Sequence, residues 1–206
     1  MEMGRFDEAL AELRQARLSD PLSTIVQAVI ALAHYLARSY DDAIVAADDA
    51  IRADSTIALG QMVRALALTQ LARHTDAVAA ARRLTSSGGE SSVTRGIAGY
   101  VLGRAGEVAA ARSALSRLER DFRSGDARAM DIALVNLGLD NLEEAVDWLE
   151  RSADARDVQL LLLHTDARFD PLREDRRFRE LMGRIRFGSE PRSGAVAAGE
   201  PAAGGG

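Results

Sequence analysis

Residues 4–21 read GRFDEALAELRQARLSDP, residues 38–55 read RSYDDAIVAADDAIRADS, and the two stretches align when one is shifted by 34 positions. The spacing continues along the chain, because alanines recur 34 residues apart at Ala9, Ala43, Ala77, Ala111 and Ala145. Twelve residues before the last four of these positions the residue is again small: Ala31, Ala65, Gly99 and Ala133. Two small columns per repeat let two antiparallel helices approach closely. The sequence therefore predicts a stack of helical hairpins.

Two further columns flank the alanine column at fixed offsets, a bulky one before it and one of alanine or leucine after it. Three residues before it stand Phe6, Tyr40, His74, Val108 and Leu142, and four residues after it stand Leu13, Ala47, Ala81, Leu115 and Leu149. We expect the bulky columns to fill the space between successive hairpins. One hairpin cannot bury its apolar face alone, so about three or more copies are needed for a stable stack. This chain holds enough of them.

The 34-residue period resembles the tetratricopeptide repeat, in which each copy is a helix, a turn and a second helix. The resemblance implies an all-α fold, a right-handed α-solenoid of antiparallel helix hairpins with a C-terminal capping helix. Four hairpins are expected at about residues 24–57, 58–91, 92–125 and 126–157. Pro21 and turns such as Ser86-Ser87-Gly88-Gly89 supply the breaks between helices.

The first 23 residues hold only the second helix of a repeat, because its partner would lie before Met1. An unpaired helix leaves an apolar face exposed. An upstream segment, self-association through this incomplete repeat, or a truncated reading frame would each account for it, and we favour truncation.

The C-terminal region is expected to cap the stack. Residues 158–187 begin with an apolar run, and Phe178, Leu181, Met182 and Ile185 then fall on one helical face. The opposite face carries arginines; residues 168–186 contain seven arginines against four acids, which we interpret as a solvated face. Residues 188–206 are rich in glycine, alanine and proline and are expected to be disordered.

Residues 131–157 and 166–185 show a narrower resemblance, to the C-terminal repeat region of multidomain bacterial signalling proteins. Those proteins place a similar array, ending in the same Arg-Phe-Asp-Pro-Leu element, after a winged-helix, serine/threonine kinase or nucleotide cyclase domain. The matching residues are Trp148, Leu149, Glu150, Arg156, Asp157, Arg168, Phe169, Asp170, Pro171, Leu172, Phe178 and Leu181. The family usually has proline where this chain has Ala167 and Arg176. None of the catalytic or DNA-reading parts is present in this sequence.

The composition of the chain excludes several classes of functional site. The 206 residues carry a formal net charge of −5 and no cysteine, and all 26 basic residues are arginine. Without cysteine or lysine the chain has no thiolate site, no Schiff-base lysine and no phosphate-loop lysine. No apolar run reaches the ~20 residues that cross a bilayer, and no signal peptide is evident. The expected compartment is the cytoplasm, and no membrane or nucleic-acid partner is expected.

Candidate reactive residues all have a simpler interpretation, so no catalytic residue, metal site or cofactor is predicted. The histidines His34, His74 and His164 lack the spacing of metal-binding pairs, and the packing column explains His74. Acidic pairs such as Asp41 and Asp42 recur in the first turns of second helices, where they favour the helix dipole. The glycines in GIAGYVLGRAG, residues 96–106, follow no strand, so close helix packing is favoured over a dinucleotide loop.

The resemblance implies a partner site on the concave face that the first helices form. Carrying over the family's groove positions gives Ala28, Leu32, Tyr35, Met62, Leu66, Thr69, Tyr100, Arg104, Met130 and Leu134. This largely apolar lining is expected either to hold hydrophobic anchors of a peptide or to pack within a narrow superhelix. The basic cluster with which one subclass grips a peptide carboxylate is not found at these positions.

Two functional hypotheses follow. The first is a non-enzymatic interaction module or scaffold that binds a protein or peptide partner in this groove. The alternative is the C-terminal regulatory region of a bacterial transcriptional regulator, kinase or cyclase whose effector domain lies upstream.

Overall fold

The computed structural model describes residues 3–20, 23–86 and 91–185, with side chains from Glu8 onward. This part of the chain is helical and contains no strand, which confirms the all-α prediction. Two 3₁₀ helices, Val158–His164 and Ala167–Leu172, lie between the last two α-helices. The α-helices are α1 Met3–Ser19, α2 Thr24–Leu36, α3 Tyr40–Ala53, α4 Ala58–Gln70, α5 His74–Ser86, α6 Ser92–Arg104, α7 Val108–Ser124, α8 Ala129–Gly138, α9 Leu142–Asp154 and α10 Arg176–Arg184.

The helices pair in chain order. Helices α2 and α3, α4 and α5, α6 and α7, and α8 and α9 pack as hairpins, and α1 packs on α2. The first helices of the hairpins, α2, α4, α6 and α8, also pack on one another in sequence, so the hairpins stack into a solenoid. This is the architecture that the 34-residue period predicts.

The small columns lie where the helices meet. Ala43, Ala77, Ala111 and Ala145 are fully buried, as are Ala31, Ala65 and Ala133 of the other column. Ala9 is exposed, because α1 packs against α2 alone. The column of larger residues behaves differently: Tyr40 and Leu142 are half-buried, but His74 and Val108 are exposed. The expectation that this column fills the space between hairpins is therefore wrong at these two positions.

The turn inside each hairpin has one conformation. Arg38, Ala72, Gly106 and Asp140, again 34 residues apart, have φ of 64°, 54°, 86° and 64°. In each turn the next residue donates its N–H to a carbonyl five residues earlier, as Ser39 does to His34 at 2.9 Å. A left-handed residue costs about 1–2 kcal/mol when it is not glycine. Three of the four turns have a residue other than glycine at this position and carry that cost. The contacts of the surrounding helices must offset it.

Helices α6 and α8 touch backbone to backbone. A Cβ on Gly103 would lie 2.5 Å from the carbonyl carbon of Gly138, and a Cβ on Gly138 would lie 2.5 Å from the Tyr100 carbonyl oxygen. These are contacts that only glycine permits. The interpretation of the GIAGYVLGRAG glycines as helix-packing residues is confirmed for Gly103, and likewise for Gly99, which lies against Val135.

The predicted capping helix is α10, which packs on α9. Phe178 and Leu181 are each 1% exposed. Arg177 donates to Asp147 and Glu150 of α9 at 2.7 Å and 2.5 Å, so part of the arginine face is engaged in ion pairs. Pro21, the Ser87-Gly88-Gly89 part of the predicted turn and the tail at 188–206 lie outside the described residues.

Candidate functional site

Residues 158–173, the C-terminal segment, lie against the C-terminal ends of the first helices. The Tyr35 hydroxyl at the end of α2 donates to Asp166 Oδ1 at 3.0 Å, although 131 residues separate the two in sequence. Arg38, in the following turn, donates from both terminal nitrogens to the Asp170 carboxylate at 2.7 Å and 2.9 Å. The segment after the last hairpin thus reaches back to the first complete one.

A buried ion pair lies at the centre of this contact. Asp166 is 1% exposed and Arg168 is 8% exposed. The Asp166 carboxylate accepts from the Arg168 backbone N–H at 3.0 Å and from Nε and Nη2 at 2.9 Å and 2.5 Å. Burial alone lowers the pKa of the Arg168 guanidinium, but the Asp166 charge outweighs it and the pKa rises. The Arg168 guanidinium is therefore charged, and its hydrogen bonds to Asp166 replace the water that burial removes.

Tyr35 and Asp170 complete the anchoring. Burial, followed by the Asp166 charge, raises the pKa of the Tyr35 hydroxyl well above its usual value, so it remains a neutral donor. Desolvation raises the pKa of Asp170, but hydrogen bonds from Arg38 and Arg173 outweigh that effect and leave it lowered. Phe169 and Leu172, each 1% exposed, supply the apolar part of the contact.

Beside the docked segment is a cavity of about 510 Å³, which we call the polar cleft. It lies between the C-terminal ends of α4, α6 and α8, the turn after α4, and the C-terminal segment. Its lining residues are Thr69, Gln70, Ala72, His74, Tyr100, Arg104, Leu137, Ala167, Arg168, Asp170 and Pro171.

Tyr100 is central to the cleft. Gln70 Nε2 donates to its hydroxyl oxygen at 3.4 Å. Burial raises the pKa of Tyr100, while the charges of Arg168 and Arg104 act in the opposite direction. Both guanidinium groups therefore lie near enough to this hydroxyl to affect its charge.

Comparison with known proteins adds one match. Residues 1–56 match the tetratricopeptide repeat family model. This match covers about a quarter of the chain and supports an assignment to the tetratricopeptide repeat family. The hairpins and the 34-residue columns continue this architecture through α9. No curated protein and no solved structure matches the chain. Tetratricopeptide repeats generally mediate protein–protein interaction and are generally not catalytic.

The structure places most of the ten predicted groove residues of this repeat protein in its core. Leu32 and Met62 are half-buried and Arg104 is exposed. The other seven are at most 9% exposed: Ala28, Tyr35, Leu66, Thr69, Tyr100, Met130 and Leu134. The first helices pack side by side, so these seven positions agree with the alternative in which the lining packs within the superhelix. Partner binding along them stays a prediction. Thr69, Tyr100 and Arg104 alone among the ten line the polar cleft.

Sequence reasoning missed the buried position of Arg168. The sequence analysis places it on a solvated arginine face, yet it is buried beside Asp166, Tyr35 and Tyr100. No signal in residues 166–173 separates Arg168 from the exposed arginines, because interleaved acids and bases are typical of a solvated face. No pattern in the sequence indicates that these residues contact Tyr35 and Arg38.

The remaining candidates differ in their surroundings. Within residues 3–20, 23–86 and 91–185 no group of three or more metal-ligating side chains occurs, and no helix is long and apolar enough to span a membrane. His74 is exposed and lines the polar cleft, so core packing does not explain it. Asp41, Asp42, Glu143 and Glu144 are exposed in the first turns of their helices.

Proposed function

We propose that this tetratricopeptide repeat protein is a non-enzymatic interaction module that holds a segment of a protein partner in the polar cleft. The observation that carries the proposal is the position of the cleft, at the ends of the first helices, with Thr69, Tyr100 and Arg104 from the predicted site in its lining. A volume of about 510 Å³ is enough for one or two side chains of a bound segment.

The character of the contact differs from the sequence-based expectation. An apolar groove would bind hydrophobic anchors, but the apolar residues predicted to form it are largely buried. The cleft presents Gln70, Tyr100, Arg104 and Arg168, all of which can donate hydrogen bonds. We therefore expect a polar, charge-assisted contact.

Site-specific photocrosslinking in the native cell tests the proposal. A benzophenone amino acid replaces His74, an exposed residue that lines the cleft, and, as the control, Arg112, an exposed residue on the second helix α7. We expect one discrete adduct from position 74 that mass spectrometry identifies as a protein and that position 112 does not form. Equal adducts at both positions, or adducts from 112 alone, would contradict binding at the cleft.

The second candidate is the regulatory region of a longer bacterial signalling protein. It is supported by the resemblance of residues 166–185 and by the burial of the Arg-Phe-Asp-Pro-Leu element, in which Phe169 and Leu172 are 1% exposed. An immunoblot against residues 168–187 in native cells tests it. A species near 22.1 kDa contradicts the idea, and a much larger species supports it.

Two smaller proposals accompany the function. We place the protein in the cytoplasm, which fractionation of native cells tests. Self-association through the N-terminal repeat is supported by Leu18 and Ile25, 73% and 62% exposed. Light scattering over a concentration series tests it, and an unchanging monomer mass at high concentration contradicts it.

A further inference from the structure

Three of the residues that line the cleft carry hydrogen-bond donors for which the described residues supply no acceptor. Arg168 Nη1 is buried and has no acceptor among the described residues, although Nε and Nη2 of the same side chain are bonded to Asp166. The Tyr100 hydroxyl accepts from Gln70, while its own proton has no acceptor in the described part of the chain. The Arg104 guanidinium is exposed and has no ion pair within those residues. A ligand that fits these groups supplies acceptors.

The carboxylate that lines the cleft is already engaged. Asp170, which also lines the cleft, receives two bonds from Arg38 and one from Arg173 at 2.9 Å. The last carbonyls of α4, α6 and α8 accept from the N–H groups of the turns that follow, as Leu68 does from Arg73 at 2.9 Å. The helix dipoles oppose an anion at these ends, but this capping leaves few free carbonyls to repel one.

The charge balance favours an anion. Three charged residues line the cleft: Arg104, Arg168 and Asp170. Arg168 is paired with Asp166, and Asp170 is paired with Arg38 and Arg173. These four arginines and two aspartates leave a formal charge of +2. A phosphate monoester carries roughly −1.5 to −2 near neutral pH and offers three acceptor oxygens, whereas a carboxylate offers one charge and two oxygens. The phosphate matches both the charge and the number of donors better.

We propose that the polar cleft binds a phosphate group carried by a serine or threonine side chain of the partner segment, between Arg104, Arg168 Nη1 and the Tyr100 hydroxyl. This inference rests on the proposed function, because it names the chemical group that the partner places in the same cleft. Two of the three ligating groups come from α6, and Arg168 comes from the C-terminal segment. The site exists only when that segment is docked.

The three tyrosines make the site directly observable. In protein with ¹³C at the tyrosine Cζ position, a short blocked phosphoserine peptide is titrated into the intact chain. We expect the Tyr100 resonance to shift with saturation while Tyr40, outside the cleft, does not. No shift of Tyr100 at millimolar phosphopeptide overturns the proposal.

Variants and ligand controls identify the chemistry. Arg104→Gln should weaken phosphopeptide binding at least tenfold, and Tyr100→Phe should weaken it about threefold. The matched variants Arg112→Gln and Tyr40→Phe should bind as wild type does. Binding is measured from the shifts of backbone amide resonances. Equal binding by all variants overturns the site. A glutamate peptide binding as tightly shows a carboxylate site and overturns the phosphate assignment.

Free phosphoserine and inorganic phosphate separate the source from the chemistry. If either binds as tightly as the peptide, the ligand is a small phosphate and the partner assignment fails. These titrations use no native partner. If the phosphopeptide binds while the cross-link at position 74 fails, the phosphate site remains and the proposed cellular function is contradicted.

Discussion

Replacing Asp166 by asparagine tests whether the buried ion pair holds the C-terminal segment in place. The substitution keeps the shape of the side chain but removes the charge that solvates Arg168, a residue only 8% exposed. Breaking one partner of a buried pair costs about 3–5 kcal/mol, because the other charge stays buried without compensation. We therefore expect Asp166→Asn to destabilise the protein by about 4 kcal/mol.

The exposed pair on the same segment is the matched control. Arg38 and Asp170 have side-chain exposures of 50% and 37%, and exposed pairs contribute about 0–1 kcal/mol. Arg38→Gln should thus cost less than about 1 kcal/mol. Tyr35→Phe, which removes one hydrogen bond to the buried carboxylate, should cost about 1.5–3 kcal/mol. The three variants predict a graded series along one segment.

Urea unfolding followed by the fluorescence of Trp148 measures the series. Trp148 is the single tryptophan and lies on α9. Its ring packs edge-on against the Phe122 ring, with 5.0 Å between the ring centroids. With a slope of about 2 kcal/mol per molar urea, a loss of 4 kcal/mol lowers the midpoint by about 2 M. Far-ultraviolet circular dichroism should give coincident transitions.

Two results decide the reasoning. If Asp166→Asn costs no more than Arg38→Gln, the buried pair does not anchor the segment and the argument fails. The double variant Asp166→Leu with Arg168→Met should recover most of the lost stability, because an apolar replacement of a buried pair is often neutral or stabilising. A double variant as unstable as Asp166→Asn would instead indicate that shape, not charge, was lost.

Three further predictions follow from the backbone and the exposed ion pair. Gly103→Ala should lower the free energy of unfolding in urea by about 1–3 kcal/mol, because the new Cβ meets the α8 backbone. Gly183→Ala, where a Cβ meets open space, should raise it by about 0.5–1 kcal/mol. Equal effects would contradict the close approach of α6 and α8. Ala72→Gly should raise the free energy of unfolding in urea by up to about 1 kcal/mol, since it relieves φ of 54°, and Gly106→Ala should lower it; the reverse order would show that strain is absent. The lowered pKa of Asp170 gives stability that is present above its unfolded pKa of about 3.9 and is lost as pH falls through its folded value. The stability difference between wild type and Asp170→Asn should therefore shrink below about pH 4, and a constant difference down to pH 2 would count against the ion pair.

The sequence predicted the repeat because packing constraints recur in it. Ala43, Ala77 and Ala111 recur with the period of the hairpin, and each is fully buried where two helices cross. The same constraint places Gly103 at the contact between α6 and α8. A constraint that every copy must satisfy appears as a column, so local helix physics was enough to find it.

The sequence left two interpretations of the groove residues open for a physical reason. A position on a first helix can face the groove or the next first helix, and the two environments select the same apolar residues. Leu66 and Met130 satisfy both interpretations in sequence, and only the tertiary structure showed them to be core, at 4% and 1% exposed.

By itself, the sequence determined the helices, the hairpins and the capping helix, since each depends on contacts between neighbouring residues or neighbouring repeats. The tertiary structure alone decided where the C-terminal segment docks. Tyr35 and Asp166 meet across 131 residues through a single contact that no other repeat reproduces, so it leaves no column in the sequence.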